Sequence, residues 1–139
     1  YTPTIDLFDY DIDKAKSILR KYDLVVVGSD TILEKVTGGS QQLGLNWGSS
    51  ELCNAPHVFF AASASPANFA NDKSLLERLK LIADKFIYIG LRDGLTVDLF
   101  TNKMRVNTPV YKQPDPSYYL DINEFQLPEF YVRKLKGKK

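Results

Sequence analysis

Apolar residues in this chain switch repeatedly between helical spacing and short solid runs, and the switches mark its elements. Ile12, Ala15, Ile18, Leu19 and Tyr22 recur at three- and four-residue steps, which predicts a helix over residues 11–22 with Asp11 as its cap. Residues 24–28 follow as a β-branched run without polar alternation, the pattern of a strand buried on both faces. Residues 37–50 are rich in Gly, Ser and Gln and read as a long loop with a short helical turn around Leu43 and Trp47.

A second solid run, residues 57–62, is closed by Ser63-Ala64-Ser65-Pro66. Leu75, Leu76, Leu79, Ile82, Ala83 and Phe86 then predict a helix over residues 72–85, and residues 86–91 a third buried strand. Leu95, Leu99 and Phe100 mark a helix capped by Thr96 or Asp93 and ending near Asn102. Residues 109–112 form a short fourth strand, stopped at Pro114-Asp115-Pro116 because proline cannot donate to a ladder. Beyond Pro116 the strand pattern stops and Leu127-Pro128 interrupts any helix, so residues 1–120 read as the domain and 121–139 as a linker.

Buried strands alternating with amphipathic helices specify right-handed βαβ units. The expected fold is therefore α/β and Rossmann-like: three layers around a parallel sheet of four or five strands. In such sheets ligands lie outside the carboxyl ends of the strands. That rule selects Gly28-Ser29-Asp30, Ser63-Ala64-Ser65, Arg92-Asp93-Gly94 and Pro114-Asp115-Pro116.

At 139 residues, 44% hydrophobic and 25% charged, the chain has the length and composition of one globular domain. Its apolar runs are far shorter than the roughly 20 residues a membrane helix needs. The last seven residues carry five of the 18 basic side chains, leaving thirteen positives against seventeen negatives elsewhere. A body with that balance has no footprint for a phosphate backbone, which argues against nucleic acid. One cysteine, Cys53, excludes an internal disulfide and suits a reducing compartment, the cytoplasm being the expectation. The chain starts at Tyr1 and contains only Met104, which reads as a piece of a longer protein.

No glycine-rich dinucleotide fingerprint, phosphate loop, nucleophile elbow or metal-spaced His/Cys pair is present. Asp30 has two readings, a turn closed by its own carboxylate or a group that binds and deprotonates a hydroxyl. Arg92 ends a strand at the ligand edge, where its five donors suit a carboxylate or phosphate; the alternative is a salt bridge to Asp93 or another loop acid. Asp93 fits a helix cap. His57 opens a strand with no catalytic neighbour and reads as structural, and Cys53 as a half-buried thiol. Trp47 either stacks on a sugar or anchors its loop as a buried indole.

The segments Tyr22-Asp23-Leu24-Val25-Val26-Val27-Gly28-Ser29-Asp30, Phe59-Phe60-Ala61-Ala62-Ser63, Phe86-Ile87-Tyr88-Ile89-Gly90-Leu91-Arg92-Asp93 with Thr96, and Pro114-Asp115-Pro116 occur in an order that resembles polysaccharide pyruvyl transferases. The resemblance covers about residues 11 to 120. It implies the first half of a two-domain, GT-B-like architecture, with the active site in the cleft toward a second domain of the same protein. It further implies transfer of a pyruvyl group from phosphoenolpyruvate to two hydroxyls of a sugar, as a ketal, in cell-surface polysaccharide synthesis. No cofactor is implied.

Carried over residue by residue, Asp30 is the candidate catalytic group, facing the acceptor sugar. Gly28, Ser29, Ser63, Arg92 and Asp93 are the candidate substrate-binding positions, with Arg92 holding an oxyanion of phosphoenolpyruvate. The family's Gly-Asn-x-Gly-Asp stretch and its second-domain Arg-x-His motif are absent here, so the isolated piece is expected to lack transfer activity. The alternatives are a GT-B-like glycosyltransferase using a nucleotide-sugar, and a non-catalytic carbohydrate-binding domain.

Overall fold

The computed structural model describes residues 11–34, 36 and 43–120. Helix α1 (Ile12–Leu19) is capped by Asp11, whose carboxylate accepts from the N–H groups of Asp13 and Lys14. It leads into strand β1 (Val25–Val27), and helix α2 (Leu45–Gly48) then supplies the helical turn expected near Trp47. Strand β2 (His57–Ala62), helix α3 (Lys73–Ala83), strand β3 (Tyr88–Leu91), helix α4 (Gly94–Asp98) and strand β4 (Val110–Lys112) follow. A five-residue π-helical segment, Leu99–Lys103, continues α4. The expected linker lies outside the described residues.

All four strands are parallel and stand in chain order, β1-β2-β3-β4. With right-handed crossovers, strands added always in one direction place every connection on the same face of the sheet. The packing agrees. Val27, Phe59 and Ile89, adjacent across β1, β2 and β3, share one core with Trp47 of α2, with Leu76, Leu79 and Ile82 of α3, and with Leu99 and Phe100 after α4. Phe59 and Phe86 stack with ring centroids 3.9 Å apart, and Trp47 and Phe100 at 5.7 Å.

The same topology corrects the expectation of a first strand buried on both faces. Val26, which looks away from the shared core, is 56% exposed, and Tyr111 at the far side of the sheet is 50% exposed. Both stand on the face that the three connections do not cross. On α1, Ala15 is fully buried, outside the central core.

Candidate functional site at the carboxyl edge

Strand β2 ends irregularly, and that irregularity shapes the edge. Its register against β3 shifts between Phe59 and Ala62. Ala61 takes a φ of 50°, a left-handed conformation uncommon for a residue with a Cβ. Past this bulge the Ala62 carbonyl accepts the Arg92 N–H at 3.0 Å. Asp30 pairs with Ala62, and the Ser63 N–H donates to the Asp30 carbonyl at 2.8 Å. Asp30 has a φ of 72°, which aspartate tolerates better than most residues. Gly28 has no room for a side chain, because a Cβ there would overlap the Phe60 carbonyl.

These backbone bonds bring three side chains into a ladder. Arg92 donates through Nη2 to Asp30 Oδ1 at 2.6 Å and through Nη1 to Asp115 Oδ2 at 2.8 Å. The other Asp115 oxygen accepts the Ser117 N–H at 2.9 Å, capping the turn Pro116–Tyr119. Hydrogen bonds from Asp30 and then Asp115 hold the guanidinium above its ordinary pKa. The N–H and hydroxyl of Ser117, followed by Arg92, push the Asp115 carboxyl down to about 2. The Asp115 carboxylate is thus ionised at neutral pH beside the guanidinium.

A model of the polysaccharide pyruvyl transferases matches residues 1–136. The chain belongs to the polysaccharide pyruvyl transferase family. No curated protein and no solved structure matches it. The family match fits the order of motifs in the sequence, and the parallel α/β sheet supplies the fold that those motifs imply.

Three of the four loops chosen by the strand-end rule meet directly at Arg92: those of Asp30, Arg92 itself and Asp115. The fourth lies beneath them. Ser63 is 1% exposed, and its hydroxyl accepts the Ser65 N–H while also bonding the Asp93 carboxylate. It braces the edge and offers no exposed oxygen. Asp93 caps α4, accepting from the Thr96 N–H at 2.9 Å and the Thr96 hydroxyl at 2.8 Å, and Thr96 in turn accepts the Ala64 N–H. Burial would raise the Asp93 pKa, but the bonds from Ser63 and Thr96 outweigh it and the pKa falls. Ser29, half-buried, stands between Gly28 and Asp30 on the same turn.

Trp47 is fully buried, donates to the Leu33 carbonyl at 3.2 Å and packs against Phe59, Phe69 and Phe100. The anchoring reading therefore holds, and the indole presents no face to a sugar. His57 sits at the opposite, amino end of β2, 1% exposed, with Nδ1 2.7 Å from the Ala55 carbonyl. Burial lowers its pKa, only partly opposed by the carbonyls of Ala55 and Ser49. A depression of about 870 Å³ also lies at the amino end, between Lys16 of α1, Arg20 just after it and the Glu51 to Pro56 loop that holds half-buried Cys53. Its lining charges are of both signs, Lys16 and Arg20 with Asp23 and Glu51.

Among the described residues no helix is long and apolar enough to cross a membrane, and no three or more His, Cys, Asp or Glu side chains cluster as a metal site. Gln113 is the site-shaping residue that the sequence reading missed. Its side chain lies over Gly90, where a Cβ would overlap the amide oxygen. The signal was Gly90 itself, because a glycine inside a strand marks a close approach.

Proposed function

We propose that this edge forms one wall of a site that transfers a pyruvyl group from phosphoenolpyruvate to two hydroxyls of a saccharide. In that reaction C2 of the enol gains two bonds to sugar oxygens, the methylene carbon gains a proton, and the bond from C2 to the phosphate oxygen breaks. Phosphate leaves with the remaining hydroxyl proton, and the product is a ketal. The observation that carries the reading is the Asp30–Arg92–Asp115 ladder. Two of the five N–H donors of Arg92 are held by carboxylates, which fixes the guanidinium plane and leaves the other donors for a carboxylate or phosphate of the donor.

Asp30, with a side chain 70% exposed, accepts a hydrogen bond and then the proton of an attacking hydroxyl. Asp115, held near 2, stays ionised and is not the acid that protonates the methylene carbon. With His57 buried at the other end of β2, that acid comes from elsewhere in the intact protein, as a cleft between two domains would provide. The reading places the reaction on the assembly of cell-surface polysaccharide.

The deciding experiment measures phosphate release from phosphoenolpyruvate by the intact protein across a panel of saccharides. Saccharide-dependent release is expected. Arg92→Ala should reduce kcat/KM by about tenfold or more, roughly 1.4 kcal/mol, with little change in melting temperature. Turnover of nucleotide-sugars in place of phosphoenolpyruvate would replace this reading with glycosyl transfer.

A further inference from the structure

Gln113, the residue after β4, is 8% exposed, and its side chain reaches across β3 to β2. Its Oε1 accepts the Ala61 N–H at 3.3 Å. A bulge leaves a strand residue outside the ladder, and a buried N–H without an acceptor is strongly unfavourable. The Gln113 amide meets that need at the one residue of β2 with a left-handed φ. Gly90 makes the reach possible by having no Cβ in the path.

The bulge decides where the ladder forms. The Ala62 carbonyl, one residue on, takes the Arg92 N–H, and Asp30 pairs with Ala62. Gln113 also donates its own N–H to the Leu91 carbonyl at 2.8 Å, fixing the strand end that delivers Asp115 two residues later. One residue is therefore tied to all three members while touching none of their side-chain charges.

We propose that Gln113 is a positioning residue for the transfer site, whose amide oxygen holds the β2 bulge in the geometry that brings Asp30 and Asp115 onto Arg92. Its link to catalysis rests on the proposed pyruvyl transfer; its link to the ladder does not. If the amide oxygen is what matters, removing it and displacing it should have the same effect. Gln113→Met keeps the length and the apolar stem without the acceptor, whereas Gly90→Ala pushes the amide aside with residue 113 unchanged. Gln113→Glu restores an acceptor oxygen.

The test uses the intact protein with ¹⁵N-labelled arginine and reads the Arg92 side-chain signals together with steady-state kinetics in phosphoenolpyruvate. Gln113→Met and Gly90→Ala should both shift or broaden the Arg92 signals and raise KM for phosphoenolpyruvate by about tenfold, with kcat changed less. Gln113→Glu should return both readouts toward the starting protein. Unchanged Arg92 signals in a folded Gln113→Met protein would overturn the proposal. So would losses that merely follow the amount of folded protein, with KM constant. If the unaltered protein transfers no pyruvyl group to any saccharide, the functional reading fails, and the Arg92 signals still decide the role of Gln113.

Discussion

Asp84, which ends α3, and Asn107, in the turn before β4, are joined twice through one carboxylate: the Asn107 N–H donates to Oδ1 at 2.6 Å and its amide to Oδ2 at 2.8 Å. Lys80 donates to the same Oδ2 at 2.6 Å. Burial alone would raise the Asp84 pKa, yet the bonds from Lys80 and Asn107 bring it below its ordinary 3.8. A carboxylate depressed in the folded state contributes stability that is complete above its unfolded pKa and is lost as pH falls through the lower folded value. Asp84→Ala should therefore destabilise the protein by about 1–3 kcal/mol at pH 7 and by less as the pH drops below the carboxylate range. Urea titrations of both proteins at several pH values check this, and a difference independent of pH would contradict it.

Two glycines should respond in opposite ways to the same change. At Gly28 a Cβ would overlap the Phe60 carbonyl, so Gly28→Ala must move backbone, at a cost of about 1–3 kcal/mol or more. At Gly94, the first residue of α4, a Cβ meets nothing within 4 Å and φ is not positive. Gly94→Ala should stabilise by about 0.4–1 kcal/mol, through a less flexible unfolded chain. Thermal melts of the two variants beside the parent provide the comparison.

Trp47 is the single tryptophan, so its fluorescence reports one site. Full burial predicts blue-shifted emission, poor quenching by acrylamide and no change on adding saccharide. Trp47→Phe removes the hydrogen bond to Leu33 and should lower stability by about 1–3 kcal/mol. Quenching by a saccharide would show that the ring reaches a ligand after all.

The depressed pKa of Asp115 has unequal causes. Its largest contribution comes from the Ser117 N–H, then the Ser117 hydroxyl, with Arg92 third. In Arg92→Ala the carboxyl should titrate higher than its present value of about 2 but stay below the ordinary 3.8. Ser117→Ala, which keeps the N–H and loses the hydroxyl, should also leave it depressed. Carbon-13 NMR titration of the aspartate carboxyls measures both, and a return to the ordinary value in Arg92→Ala would reverse the ranking.

The central elements were legible in the sequence because their chemistry is local. Five apolar residues at helical spacing, Leu75, Leu76, Leu79, Ile82 and Ala83, mark α3, and Asp11 and Asp93 cap helices with groups two or three residues away. Valines 25 to 27 were harder: a β-branched run suits any strand, and only the one-sided crossovers leave Val26 exposed. The helix end expected near Asn102 falls within the π-helical segment that continues α4 to Lys103, where Leu99 and Phe100 are both buried.

At the site, the strand-end rule found the loops but not the pairings. Arg92 has an acid beside it in sequence, yet Thr96 occupies the Asp93 carboxylate, and the guanidinium turns to acids 62 and 23 residues away. Gln113 carries no charge and follows no motif, so only the gap that Gly90 leaves could have pointed to it.

The order of the strands also bears on how the chain assembles. Among the described residues, each strand pairs only with its neighbours in sequence, so this part of the sheet can grow unit by unit as the polypeptide lengthens. The Arg92 ion pairs break that pattern, since one of them ties the first unit to the third. A nascent chain that has docked β1, β2 and β3 holds Asp30 and Arg92 but not yet Gln113 or Asp115. The described scaffold is thus a running sum of local steps, whereas the ladder is complete only when β4 arrives.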